Sequence, residues 1–242
     1  MIELKKLWIL FWVINMKIYG KNVFNELRDN IKSIKKVYIA NNFNDKEIIN
    51  FIRDNKISYS SMDIKKMDSM VDGRHQGIII EVNEYEYVDY KKMLNSNVVV
   101  MLDHLEDPHN FGAIIRTCEC AGIKDIIIPK DRSVSVNGTV MKTSAGALEH
   151  VNIAMVSNLV NTIKDFQNNG FFVYAADMDG MNYKDVDFAD KVVLIIGNEG
   201  NGIGRLVREN CDQIVAIPQY GQINSLNASV AAAILIYGIV NK

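Results

Sequence analysis

Short apolar, β-branched runs alternate along most of this chain with stretches in which apolar residues return every three or four positions. That pattern predicts strands alternating with helices. From Met16 to about Val82 the order is helical "NVFNELRDNI", strand "KVYIA", helical "DKEIINFIRDN", the run "KISYSS", a polar stretch holding Asp72 and Gly73, and strand "GIIIEV". Helices of about ten residues between short strands indicate a small α/β layer domain. The following "NEYEYVDYKKMLNSN" is charged, tyrosine-rich and weakly periodic, and reads as a linker with room for a helical turn.

A second α/β region opens with "NVVVML", apolar enough to be a strand buried on both faces. A helix near residues 111–121 follows, then strand "DIIIP", a helix around "GTVMKTSAGALEH", strand "VNIAMV", helix "NLVNTIKDFQNNG", strands "FFVYAA" and "KVVLIIG", helix "RLVREN", strand "QIVAIP" and a last helix from about Leu226. Such alternation implies a parallel sheet covered by helices on both faces. Gly122 and Gly170 fall where helix C-terminal caps are expected.

Composition narrows the class. With 242 residues, 48% hydrophobic and 23% charged, the chain has the makings of a soluble globular protein of one large or two modest domains. Cys118, Cys120 and Cys211 are too few for a disulfide framework and lack the C-x-x-C spacing of a zinc site, which fits a reducing cytoplasm. The apolar run Leu7–Ile14 is followed by no small-residue cleavage site and is far short of the roughly 20 residues of a membrane helix. Residues 1–15 therefore read as an extension. The net charge of −2 argues mildly against a nucleic-acid partner, but the charge is uneven: residues 1–97 carry 16 Lys and Arg against 13 Asp and Glu, the remainder 11 against 16.

Chemistry in an open parallel sheet collects in the loops beyond the carboxyl ends of the strands. Three such loops are unusual. In "LDHLEDPHNFGAIIRTCECAG", Asn110 is placed as a helix N-cap, and Phe111, Ile114, Ile115 and Cys118 form a buried face. Arg116 lies off that stripe, either to hold a phosphate or carboxylate or as a solvated helix charge. In "IIGNEGNGIG" the glycines have the wrong spacing for a dinucleotide fingerprint, and Glu199 puts a carboxylate where a phosphate would sit. A plain tight turn remains open there. In "IPQYGQINSLNASVAAAILIYGIV" a polar loop runs into Ser225 and then into a helix whose alanines permit close backbone approach. His104 and His109 have no partner cluster, so no metal is expected.

N-F-G-x-x-x-R in the first loop, G-N-E-G-x-G in the second and "IPQYGQINSLNAS" in the third resemble, in order, the three motifs of the SpoU/TrmH family of RNA ribose 2′-O-methyltransferases. "YGKNVFNEL" and "VDGRHQGIIIEV" resemble the start and end of that family's RNA substrate-binding domain, related in fold to ribosomal proteins that bind kinked RNA. The resemblance implies an RNA-binding domain over residues 16–83, a linker over 84–97, and over 98–242 a parallel-sheet methyltransferase domain with a deep trefoil knot. It implies S-adenosylmethionine held by Ile196, Gly197, Asn198, Ile217 and Leu226. Catalysis falls to Arg116, with Asn110, Glu199, Ser225 and Asn227 orienting RNA, arginine and cofactor. The glycines would then let the chain pass close to adenosine.

The combination of motifs and front domain is most like the branch that methylates a guanosine of 23S ribosomal RNA, and the resemblance implies a cytoplasmic homodimer joined through the knotted domain, without a metal or a membrane. A tRNA ribose methyltransferase is the rival with the same chemistry. From other classes, a non-catalytic RNA-binding or assembly factor would lack transfer, and an oxidoreductase would bind a nicotinamide cofactor.

Overall fold

A computed structural model describes residues 16–83, 85–222 and 225–242, in two compact units divided between Tyr85 and Glu86. The extension expected over residues 1–15 lies outside the described residues. Both units are α/β.

The first unit is built on a four-stranded sheet of β1 (Met16–Tyr19), β2 (Ile34–Ala40), β3 (Tyr59–Met62) and β4 (Ile78–Val82), in the order β1-β4-β2-β3. All five residues of β4 are buried, and it runs antiparallel to both β1 and β2, while β2 and β3 are parallel. The expected helix "NVFNELRDNI" is α1 (Lys21–Glu26) continued by a 3-10 turn (Leu27–Ser33). In α2 (Lys46–Asp54) the carboxylate of Asp45 caps the Ile48 amide, and Ile48 and Ile52 enter the core. The stretch expected to be merely polar holds a short helix, α3 (Ile64–Asp68), capped by Asp63 and anchored by the buried Met67. No apolar period announces an element so short.

The second unit carries a six-stranded, all-parallel sheet, ordered β10-β8-β9-β5-β6-β7. Its strands are β5 (Val98–Leu102), β6 (Asp125–Pro129), β7 (Asn152–Val156), β8 (Phe172–Asn182), β9 (Val192–Ile196) and β10 (Gln213–Ala216). β6 and β9 are buried along their whole length, as a parallel strand covered on both faces should be. Gly122 (φ 77°) and Gly170 (φ 84°) adopt the left-handed conformation just past the ends of α4 (Pro108–Cys120) and α6 (Leu159–Asn168), as the sequence predicts.

Several boundaries differ from expectation. α4 begins at Pro108, capped by Asp107 through the His109 amide, so Asn110 is not the N-cap but a buried residue of the first turn. Proline is favoured there because it has no amide hydrogen to leave unpaired. "GTVMKTSAGALEH" is two elements, α5 (Gly138–Thr143) and a 3-10 turn (Ala147–His150), broken where Ala145 and Gly146 take positive φ. Beyond α7 (Arg205–Glu209), the last helix α8 (Ala228–Val240) starts after Asn227, its N-cap.

Residues 86–97, most of the linker expected over 84–97, belong to the second unit. Val88 bridges Ala154 on the outer edge of β7, the Tyr90 hydroxyl donates to Asp165 at 2.6 Å, and Met93 of the 3-10 turn Tyr90–Asn95 is buried in the core. That hydrogen bond, then burial, pushes the Tyr90 phenol up to about 12. The Phe166 ring lies 6.4 Å from Tyr90 and 4.9 Å from Phe171.

Phe166→Ala should therefore cost about 3–5 kcal/mol of stability, and Tyr90→Phe, which removes one part-buried hydrogen bond, about 0.5–1.5 kcal/mol. Denaturant unfolding checks this; equal costs would mean the aromatic cluster does not anchor the 86–97 segment.

Candidate active site

The site lies at the carboxyl ends of β5, β9 and β10, beside the middle of β8. Asp103, directly after β5, is 1% exposed. Its backbone N–H donates to the Ile196 carbonyl at the end of β9 at 2.8 Å, one carboxylate oxygen accepts from the Gly204 amide at 2.7 Å, and the other is 2.5 Å from His104 Nδ1. A buried carboxylate is costly unless it is hydrogen-bonded, and here both oxygens are engaged. Asp103 thereby ties the first motif's loop to the far end of the glycine-rich loop.

Between these ties the glycine-rich loop closes on itself. Asn198 and Gly202 exchange backbone hydrogen bonds of 3.0 and 2.9 Å. The Asn198 side-chain oxygen accepts from the amides of Gly200 (2.8 Å) and Asn201 (3.3 Å), while its amide donates to the His104 carbonyl at 2.9 Å. A Cβ on Gly197 would stand 2.4–2.6 Å from the backbone of Gly202 and Ile203. The glycine is thus required by the loop's own backbone, a reason additional to the expected approach of a cofactor.

Ile196, Gly197, Asn198, Glu199, Ile217, Ser225 and Leu226, seven of the sequence-predicted residues, line one cavity of about 380 Å3. Val215, Ala228, Ala231 and Leu235 add apolar wall, and Ala176, Asp177 and Met178 of β8 close another side. The volume lies within the range of small-ligand and cofactor sites, and a mostly apolar lining with a few polar groups is their usual composition. Asn110 does not line this cavity but donates its side-chain N–H to Glu199 Oε1 at 2.5 Å, joining α4 to the rim.

Two predicted residues stand apart. Asn227 spends its side-chain oxygen on the cap of α8, accepting from the Ser229 amide (2.9 Å), the Ser229 hydroxyl (2.6 Å) and the Val230 amide (3.4 Å). Arg116 is exposed in the middle of α4, outside the cavity lining, with no carboxylate in ion-pair range among the described residues. α4 itself packs closely on α5: a Cβ on Gly112 would meet Thr143 Cβ at 2.6 Å.

Sequence reasoning passed over Asp103 and Asp177. The available signal for Asp103 was a carboxylate immediately after the apolar run "NVVVML", at the end of a central strand. Burial pushes both Cys118 and Cys211 up to about 12, in Cys211 with help from Asp212 and Asp103, so neither thiol is a ready nucleophile. Among the described residues no group of His, Cys, Asp and Glu has the arrangement of a metal site.

Comparison with known proteins decides the class. Residues 97–237 match the SpoU rRNA methylase family. The chain belongs to this family. Residues 17–88 match the RNA 2′-O ribose methyltransferase substrate-binding family. Bacillus subtilis YacO, assigned by name to the TrmH family of tRNA/rRNA methyltransferases, is 37% identical over 236 residues, covering 93% of this chain and 95% of YacO. The fold is that of the SpoU methyltransferase AviRb from Streptomyces viridochromogenes, crystallised with AdoMet: TM-score 0.73 and 21% identity over 93% of this chain and 89% of AviRb. The A. aeolicus TrmH/SpoU tRNA modifying enzyme is 29% identical with a TM-score of 0.55, over 62% of this chain and 82% of its own. This SpoU protein is therefore an RNA methyltransferase, and the oxidoreductase and non-catalytic readings are set aside.

Gly197→Ala should lower the melting temperature and abolish ligand binding in the cavity, because the Gly202–Ile203 peptide must move. Gly200→Ala, whose Cβ would meet only Asn198 Oδ1 at 3.4 Å, should melt within about 2 °C of wild type, a shift set by well under 1 kcal/mol. Equal melting of the two variants would contradict the packing described for the loop.

Proposed function

We propose that this enzyme transfers a methyl group from S-adenosylmethionine to a ribose 2′-hydroxyl, with a guanosine of 23S ribosomal RNA as substrate. The observation that carries the reading is the convergence of the second and third motifs on one cavity. Ile196, Gly197, Asn198, Ile217 and Leu226 hold the cofactor there, largely through backbone groups and apolar contact. The cofactor supplies an activated sulfonium methyl. The protein then has to align a ribose oxygen with it, and alignment of this kind is worth about 7–11 kcal/mol of barrier.

Arg116 is assigned to the hydroxyl and its neighbouring phosphate. A guanidinium keeps its proton in proteins, so its part is electrostatic, stabilising charge as it develops on the ribose oxygen while the proton leaves to phosphate or water. Asn110 and Glu199 hold the rim, Ser225 orients the bound groups, and Asn227 acts through the α8 cap that fixes the third motif. Because Arg116 does not line its own chain's cavity, we assign the site to a homodimer in which a second copy supplies it. The exposed apolar residues of α8, Val230, Tyr237 and Val240, suit such packing.

The first unit, residues 16–83, is assigned to RNA binding, and the domain from residue 98 is assigned the trefoil knot implied by its family. Three observations favour a ribosomal substrate over tRNA: the substrate-binding match at residues 17–88, the greater basic charge of the front, and the narrower alignment with the tRNA modifying enzyme. The chain is assigned to the cytoplasm, where its three free cysteines stay reduced.

Labelled S-adenosylmethionine, offered with ribosomal RNA and tRNA from a strain lacking the gene, should mark one 23S guanosine 2′-oxygen; label confined to tRNA would transfer the assignment to the rival substrate. Arg116→Ala should lower the transfer rate by at least about 100-fold, the scale of losing one charge-stabilising group, with cofactor affinity within about twofold. Co-expressing Arg116→Ala with Gly197→Ala should restore part of the activity, since a mixed dimer keeps one intact site. Absence of any recovery would count against a shared site.

A further inference from the structure

The cavity's charge is one-sided. Its described lining residues include two carboxylates, Asp177 and Glu199, and no lysine or arginine. Asp177 stands midway along β8, with Oδ2 at 3.3 Å from Arg208 Nε. The same guanidinium also grips both oxygens of Asp179 through Nη2, at 2.5 and 2.6 Å. One cation against two carboxylates leaves that cluster with a formal charge of −1, and Glu199, whose partner Asn110 is a neutral amide, adds another. Among the described residues of the same chain the nearby cations are already engaged, Arg205 by Glu209 at 2.9 Å and His104 by the buried Asp103, and the Arg116 assigned to a second copy is matched to the ribose and its phosphate.

A negative rim favours a cation over a neutral molecule of the same shape. Methyl transfer produces such a pair of molecules. The methyl–sulfur bond breaks with its electron pair left on sulfur, the methyl bonds to the ribose oxygen, and the hydroxyl proton leaves to solvent. The sulfonium of S-adenosylmethionine thus becomes the neutral thioether of S-adenosylhomocysteine, with the rest of the molecule unchanged.

Resting on the cofactor assignment above, we infer that Asp177, held in place by Arg208, is a specificity-determining residue that biases the cavity toward the sulfonium cofactor and against its neutral product. The bias weakens the hold on spent product at the moment the charge is lost. With Asp177 partly exposed, screening limits its share to roughly threefold in relative affinity. A phosphate-bearing nucleotide would meet the same rim as a repulsion.

Calorimetric titration of the full chain with S-adenosylmethionine and with S-adenosylhomocysteine tests this. In Asp177→Asn, the ratio of the product's Kd to the cofactor's Kd should fall roughly threefold, with the product's own Kd changing less than twofold. In wild type the ratio should also shrink as salt rises from about 50 to about 500 mM, which keeps the test available if the variant folds poorly. An unchanged ratio, or equal losses for both ligands, would overturn this inference alone. Binding of neither ligand to wild type would overturn the cofactor assignment and this inference with it.

Discussion

A single buried carboxylate fixes the geometry on which the site depends. Asp103 sits at the end of the central strand β5, reaches Gly204 beyond the glycine-rich loop, and holds His104 beside it. His104 adopts a positive φ of 54° and uses its carbonyl to receive the Asn198 amide. Loops from two different strands are joined in this way by side chain and backbone alike. Leaving a buried carboxylate without its partners costs several kcal/mol, so the arrangement acts as a unit and is not easily loosened piece by piece.

The sheet explains why such a tie is possible. Parallel strands in register bring β5 and β9 to a common end, Leu102 opposite Ile196, so the loops that follow start side by side. Gly197 then lets the second loop fold back against its own backbone, and Asn198 seals it. The apolar wall from β10 and α8 and the acidic wall from β8 complete an enclosure with different chemistry on its two sides.

Much of this was legible in the sequence because the strands of the second unit are short, apolar and regularly spaced, and because three motifs stand at strand ends, after β5, β9 and β10. Seven of the cavity's residues follow from the second and third motifs, while its β8 wall, Asp177 included, does not. What periodicity cannot supply is pairing across long separations: that Asn110 meets Glu199, or Asp103 meets Gly204, is decided by strand order. Local competition accounts for other differences. Asp107 and Pro108 win the start of α4 from Asn110, Asn227 takes the cap of α8, and Ala145 and Gly146 break a stretch whose composition reads as one helix. The segment 84–97 reads as a linker because its anchors are Tyr90 and Met93, two residues too few to make a pattern.

Hydrogen exchange measured by mass spectrometry, with and without S-adenosylmethionine, tests the central claim most directly, namely that the motif-lined cavity is the cofactor site. Added cofactor should slow exchange in the segments containing residues 103–110, 196–204 and 215–228 and leave residues 16–83 unchanged. Protection absent from those three segments, or appearing mainly in the first unit, would contradict the account.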